Sequence, residues 1–188
     1  MANLYKKILK ADQTNTEGGY KNVVLFAPSA SFLSLKKPVV GATPALGDRS
    51  KITTDHTFTS PNGFYSWLCT KHSVTVTGET TGTEGAKSIV WKAKFNLLGD
   101  NTTTQEQVEN MLNDDMIFLL KDGACLTAAA YIQLGDECNT PDVAVTFDGK
   151  TTKEGLKEYG IEITVKGTKY WYSGTVTEAG GGATPPPA

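Results

Sequence analysis

His56, two adjacent acidic pairs and three cysteines are the residues whose types could support chemistry in this chain. His56 follows Asp55 and is flanked by threonines, so a Ser–His–Asp arrangement can be drawn from it. Serine and threonine are abundant enough to supply such a pairing by chance, and a triad is defined by geometry rather than sequence position. His56 therefore reads as a polar loop residue. Asp114-Asp115 and Asp136-Glu137 could share a cation, but no DxDxDG loop surrounds either pair. The first reads as a helix end and the second as a solvated turn after Gly135. Cys69, Cys125 and Cys138 lack CxxC spacing, and neither His56 nor His72 joins a cysteine pair, so no metal and no cofactor are expected. GxSxG, HExxH, P-loop and GxGxxG patterns are absent from the sequence, so no catalytic residues are expected and the chain does not read as an enzyme.

Glu79 and Glu84 sit in a Gly- and Thr-rich stretch, TGETTGTEG, which reads as a long hairpin tip. With Thr75 and Thr77 they form a small, polar, acidic set on β structure. Two readings stand. One is an ordinary solvated sheet face. The other is a wall facing a water-filled channel, where carboxylates and hydroxyls repel a phosphate backbone.

The elements that must position these residues are mostly strands. KHSVTVTGET alternates Val74 and Val76 with Thr75 and Thr77. SIVWKAKFNLL alternates Ile89, Trp91, Ala93, Phe95 and Leu97 with Val90, Lys92, Lys94 and Asn96. Period-two alternation of β-branched and aromatic residues predicts strands with one buried face. LTAAAYIQLG, DVAVTFDG, GIEITVKG and KYWYSGTVT continue the pattern at regular spacing, each bounded by Gly, Asp or Pro. One helix is predicted at 104–113, with Thr103 or Thr104 as N-cap, a Thr103–Glu106 capping box, and Val108, Met111 and Leu112 as its apolar face. MIFLLKDG follows as a buried strand.

Residues 22–68 are the most unusual stretch. The run Val23, Val24, Leu25, Phe26 predicts a strand ending at Pro28. Some thirty residues without helical period follow. Loops beyond about 12–15 residues are uncommon in compact domains. This one carries Phe32, Ile52, Phe58, Phe64 and Trp67 and is too apolar for a disordered linker. It needs a surface to bury against, and a neighbouring copy of the chain would supply one. Residues 1–22 read as an N-terminal arm, with Leu4, Tyr5, Ile8 and Leu9 at helical spacing; a single turn cannot hold itself in water, so it docks on its own domain or on a neighbour. The predicted organisation is the arm at 1–22, a β-sandwich at 23–177 with a long loop at 35–60, and a flexible Gly/Pro tail at 178–188. The fold class is mainly β: a β-sandwich with one flanking α-helix, a long inserted loop and an N-terminal arm.

The 188 residues carry 39% hydrophobic and 20% charged side chains with a formal net charge of -2. That balance is globular, and nothing in it suggests nucleic-acid binding through a basic face. MANLYKKILKAD lacks the apolar core of a signal peptide, and no run approaches a membrane span. The odd cysteine count then predicts reduced thiols in a protein made in the cytoplasm.

KNVVLFAPSASFLSLKKP, ITTDHTFTSPNGF, VTVTGETTGTEGAKSIVWKAKFNLLG, the helix before MIFLLKDG, and the closing YIQLGDE, AVTFDGKT and GIEITVKGTKYWYSGTV span residues 20–177. Together they resemble the major tail tube proteins of tailed bacteriophages, particularly small ones of Bacteroidetes phages and prophages. The likeness is one of overall layout. It implies a virion structural protein in the phage tail, made in the host bacterial cytoplasm. Such subunits stack as homo-oligomeric, hexameric rings, contact other tail proteins, and let DNA pass without specific binding and without a membrane. Carried over, the resemblance makes 73–80 and 86–97 lumen strands, with Thr75, Thr77, Glu79 and Glu84 facing the lumen. The arm residues Leu4, Tyr5, Ile8 and Leu9 and the loop residues Phe32, Ile52, Phe58, Phe64 and Trp67 become subunit interface. Lys92 and Lys94 share the face opposite Trp91, Ala93 and Phe95, and cations on a lumen would bind DNA rather than let it slide. Two alternatives stand beside this: a tube protein of a contractile injection system, and a monomeric β-sandwich module binding carbohydrate or a receptor. In the module, Tyr131, Trp171, Tyr172, Phe64, Tyr65 and Trp67 would supply a stacking platform.

Overall fold

Val24, Leu25, Phe26 and Ala27 are all buried, as are Met116 through Leu120. Strands buried on both faces read as unbroken apolar runs, so these two segments must lie at the centre of a covered sheet. The computed structural model describes residues 19–123, 131–151 and 155–180, and the backbone of 183–184. In chain order the strands are β1 (Tyr20–Pro28), β2 (Phe32–Ser34), β3 (Lys51–Ile52), β4 (Thr57–Phe58), β5 (Tyr65–Leu68), β6 (Thr75–Thr81) and β7 (Ser88–Leu98). Helix α1 (Thr102–Met111) follows, then β8 (Met116–Asp122), β9 (Tyr131–Leu134), β10 (Asp142–Asp148), β11 (Glu158–Lys166), β12 (Tyr170–Tyr172), β13 (Val176–Thr177) and β14 (Ala183–Thr184). No helix among the described residues is long and apolar enough to cross a membrane.

Two sheets carry the fold. One has six strands in the order β3-β12-β9-β8-β1-β5, and the other has four in the order β10-β11-β7-β6. The main core lies between them. Val24, Phe26, Phe118, Leu120, Ile132 and Leu134 come from the first sheet; Ala93, Phe95, Leu97, Ile161, Ile163 and Val165 come from the second. Each of the Val, Leu, Ile and Phe side chains removed from water contributes roughly 1.5–3 kcal/mol. The mainly β sandwich with one helix is thus the observed architecture. Gly78 shows how closely β6 passes the half-buried Trp91 ring: a Cβ there would lie 2.6 Å from it. Lys169 lies over the rings of Trp91 (4.6 Å) and Trp171 (5.5 Å), so its charge is met by two aromatic faces.

The opposite face of the six-stranded sheet is also apolar, and this decides what the long loop does. Leu25, Ala27, Leu119 and Tyr172 point away from the main core and would be left in water. The chain from Phe32 to Phe64 folds back over them instead. Ile52 and Phe64 are each 1% exposed, and Phe32 and Phe58 pack against the same cluster. Phe32, Phe58 and Phe64 contact one another at ring-centroid distances of 4.4–5.6 Å. The expectation that Ile52 and Phe64 meet a neighbouring copy is therefore corrected: their cover is their own sheet. Trp67 is half-buried against the main core. Within 35–60 the segment that stays outside is narrower, with Val39, Val40 and Leu46 exposed.

Several boundaries also move. β1 starts at Tyr20, so the sheet begins inside the stretch assigned to the arm. Leu4, Tyr5, Ile8 and Leu9 lie outside the described residues, as does Cys125. The helix is capped by Asn101, whose side chain accepts the Thr104 N–H at 2.9 Å; this starts it at Thr102 rather than 104. Val108 and Met111 are buried, but Leu112, the C-cap residue, is 46% exposed and does not join the apolar face. β6 runs to Thr81, which leaves Glu79 within a strand and shortens the hairpin tip. Of the predicted flexible tail, Ala183–Thr184 pairs with Val176–Thr177.

Candidate functional site: a polar sheet face with two open edges

Alternation along β6, β7, β10 and β11 sends one set of side chains into the core and the other outward. Cross-strand pairing fixes which residues share the outer face. Thr75 pairs with Lys94, Thr77 with Lys92, Glu79 with Val90 and Thr81 with Ser88. On the other side of β7, Lys92 pairs with Thr164, Lys94 with Glu162, Asn96 with Gly160 and Leu98 with Glu158. β10 then adds Asp142, Ala144, Thr146 and Asp148 to the same face. Thr75, Thr77 and Glu79 are exposed on this face, and Glu84 is exposed in the turn beyond it.

The charges on the face are largely matched. Lys92 Nζ lies 3.2 Å from a Glu79 carboxylate oxygen, and Lys94 Nζ lies 2.7 Å from Glu162. The Lys94 ammonium, donating to Glu162, holds that carboxyl below the usual carboxylate range. Asn96 donates to Glu158 at 3.0 Å, and Asp148 pairs with Lys150. Five carboxylates (Glu79, Asp142, Asp148, Glu158, Glu162) stand on the face against three lysines (Lys92, Lys94, Lys166). Its balance is acidic, and the two lysines at its centre are already paired. The signal for β10 and β11 is present in the sequence as the alternation Asp142-Ala144-Thr146-Asp148 and Glu162-Thr164-Lys166. It lies far along the chain from the β6–β7 hairpin, and only pairing unites them.

β6 and β10 are the two edges of this sheet, each seven residues long. Neither has a further strand partner among the described residues. An open edge presents a row of unpaired backbone N–H and C=O groups, ready to pair with another chain.

His56 is a polar loop residue, as expected, but a buried one. It is 3% exposed and stacks on Tyr172 with ring centroids 4.4 Å apart and planes 4° apart. The Lys36 backbone N–H donates to its Nδ1 at 3.0 Å. That contact leaves the proton on Nε2, which donates to Gln133 Oε1 at 2.9 Å. Gln133 in turn donates to the Gly135 carbonyl. Both ring nitrogens are thus engaged by a backbone amide and a side-chain amide, not by a serine and a carboxylate. Burial lowers the His56 pKa to about 4. The loop returns to the sheet through this contact: Lys36 opens the long segment and His56 closes it. Sequence pattern could not find Gln133 or Tyr172 as its partners, because they lie 77 and 116 residues further on.

Other chemistry is sparse among the described residues. No three His, Cys, Asp or Glu side chains come together to hold a metal ion. Cys69 is a buried thiol, its pKa pushed up to about 12 by desolvation, and Cys138 is an exposed one. Asp136 accepts from the Cys138 and Asn139 amides and from the Tyr170 hydroxyl, so the Asp136-Glu137 turn is built by its first residue. No family model, curated protein or solved structure matches this chain.

Proposed function

We propose that this chain is a structural subunit that assembles into rings stacked as a tube, of the kind that forms the tail tube of a phage virion. A tube of a contractile injection system follows the same design. The observation that carries the reading is the four-stranded sheet with two open, equal edges and a polar outer face. Copies arranged around an axis would bring β6 of one beside β10 of the next. The strands of the sheet alternate in direction, and their even number leaves β6 and β10 antiparallel across every junction. Closure of the ring then removes both edges at once.

The outer face would line the lumen of such a barrel. Carboxylates outnumber lysines there, and Lys92 and Lys94 are held by Glu79 and Glu162. A phosphate backbone would meet weak repulsion and no row of lone cations. The exposed apolar residues Leu33, Val39, Val40 and Leu46 supply a second contact surface for a neighbouring copy. A permanent contact of this kind should bury on the order of 1,600 Å² or more.

A monomeric binding module is the second reading. It is favoured by the burial of Ile52, His56 and Phe64 against the chain's own sheet. Negative-stain electron microscopy across a concentration series separates the two. Rings or hollow tubes are the expected result. Single particles at every concentration, with a monomer mass by light scattering, would overturn the assembly reading.

A further inference from the structure

Between the free edge of β5 and helix α1 lies a cleft of about 380 Å³ that the assembly reading does not use. Its floor is aromatic. Phe26 meets Trp67 edge-on, with ring centroids 4.4 Å apart, and Tyr65 at 5.8 Å. Tyr65 is 47% exposed, so its ring is available to a ligand. The opposite wall is polar and is set by the helix, which places Gln107 and Asn110 about one turn apart and Asp114 just beyond its end. Gln107 Oε1 accepts the Trp67 indole N–H at 3.2 Å, which orients the indole and leaves the Gln107 NH₂ as a donor. The side chains of Asn110 and Asp114 have no hydrogen-bond partner among the described residues.

We infer that this cleft binds a neutral sugar ring of an oligosaccharide. The apolar C–H face of a pyranose stacks on an aromatic side chain, while its hydroxyls need donors and acceptors around the rim. An amide donor, a second amide and a carboxylate supply both. The lining has no lysine or arginine and carries Asp114, so anionic ligands such as phosphates or sialylated glycans are disfavoured. A glycan is favoured over an extended peptide because β5 offers only four residues of edge, whereas the polar groups facing the cleft are side chains.

The test is a titration of the full-length protein with a panel of neutral tetra- to hexasaccharides (β-glucan, xylan, mannan and galactan fragments), read by tryptophan fluorescence. A sialyllactose control runs beside it. Saturable binding of at least one neutral glycan with Kd below ~1 mM is expected, with no response to sialyllactose. Tyr65→Ala should weaken it about tenfold or more. Gln107→Ala, on the exposed helix surface, should also weaken it and guards against a folding defect in the first variant. No saturable response from any neutral glycan overturns the inference. So does binding that survives both substitutions unchanged, or binding that prefers the sialylated control.

Discussion

His56 shows how one buried polar side chain ties a loop to a sheet. The neutral ring is satisfied by Lys36 and Gln133, so a second proton on Nδ1 would oppose the Lys36 N–H. The folded-state pKa of about 4 lies below the ordinary value of 6.5. The unfolded chain therefore binds more protons between these values. The stability this group contributes is complete above the upper value and is lost as pH falls towards the lower one. Urea unfolding should give a loss of about 3 kcal/mol between pH 7 and pH 4 from this residue. His56→Gln should flatten that part of the pH dependence, whatever its stability at pH 7. At Gly78 the argument is steric. An added Cβ would meet the Trp91 ring at 2.6 Å and push on a side chain packed against Lys169. Gly78→Ala should lower stability by ~1–3 kcal/mol, measurable by thermal denaturation, despite the usual benefit of replacing glycine in a strand.

At the scale of elements, the β6–β7–β11 face is defined by paired charges, and the pairing predicts its behaviour towards nucleic acid. Glu79→Lys combined with Glu162→Lys would remove both lysine partners and leave three carboxylates against five lysines. The double variant should retain duplex DNA in a mobility-shift assay, with retention falling steeply as salt rises. The unmodified protein should retain none under the same conditions. The long loop divides into two parts with different physics. Residues 51–64 carry Ile52, His56 and Phe64 into the second apolar cluster and belong to the fold. Residues 38–47 carry Val39, Val40 and Leu46, which are exposed and lie outside that cluster.

At the scale of the whole molecule, the edges of the four-stranded sheet make a geometric prediction. If β6 of one copy pairs along its full length with β10 of the next, Thr77 comes opposite Thr146, both on the outer face. With Cys69, Cys125 and Cys138 replaced by serine, Thr77→Cys and Thr146→Cys in one chain should form disulfides between copies on oxidation. Denaturing gels should then show a ladder ending at the ring's subunit number. Monomer alone, from a protein that forms rings by microscopy, would place the junction elsewhere.

The strands of the outer face are legible in the sequence alone. Period-two alternation marks β6, β7, β10 and β11, because a strand with one wet face repeats every two residues. The unbroken run at Met116–Leu120 marks a strand buried on both sides. One helix and the polar character of Thr75, Thr77, Glu79 and Glu84 are equally local facts. Three things are not. Capping falls to Asn101 because Asn, Asp, Ser and Thr all fit an N-cap, and several stand in a row. The burial of His56 is hidden because its partners, Gln133 and Tyr172, are distant in sequence. The aromatics of the long loop look unpartnered because the sequence shows that they need a surface, not which surface. The tertiary structure decided that point: the outer face of the six-stranded sheet is itself apolar, and the loop is tethered to it at both ends. Covering that face within one chain avoids the loss of translational freedom that covering it with a second copy would cost.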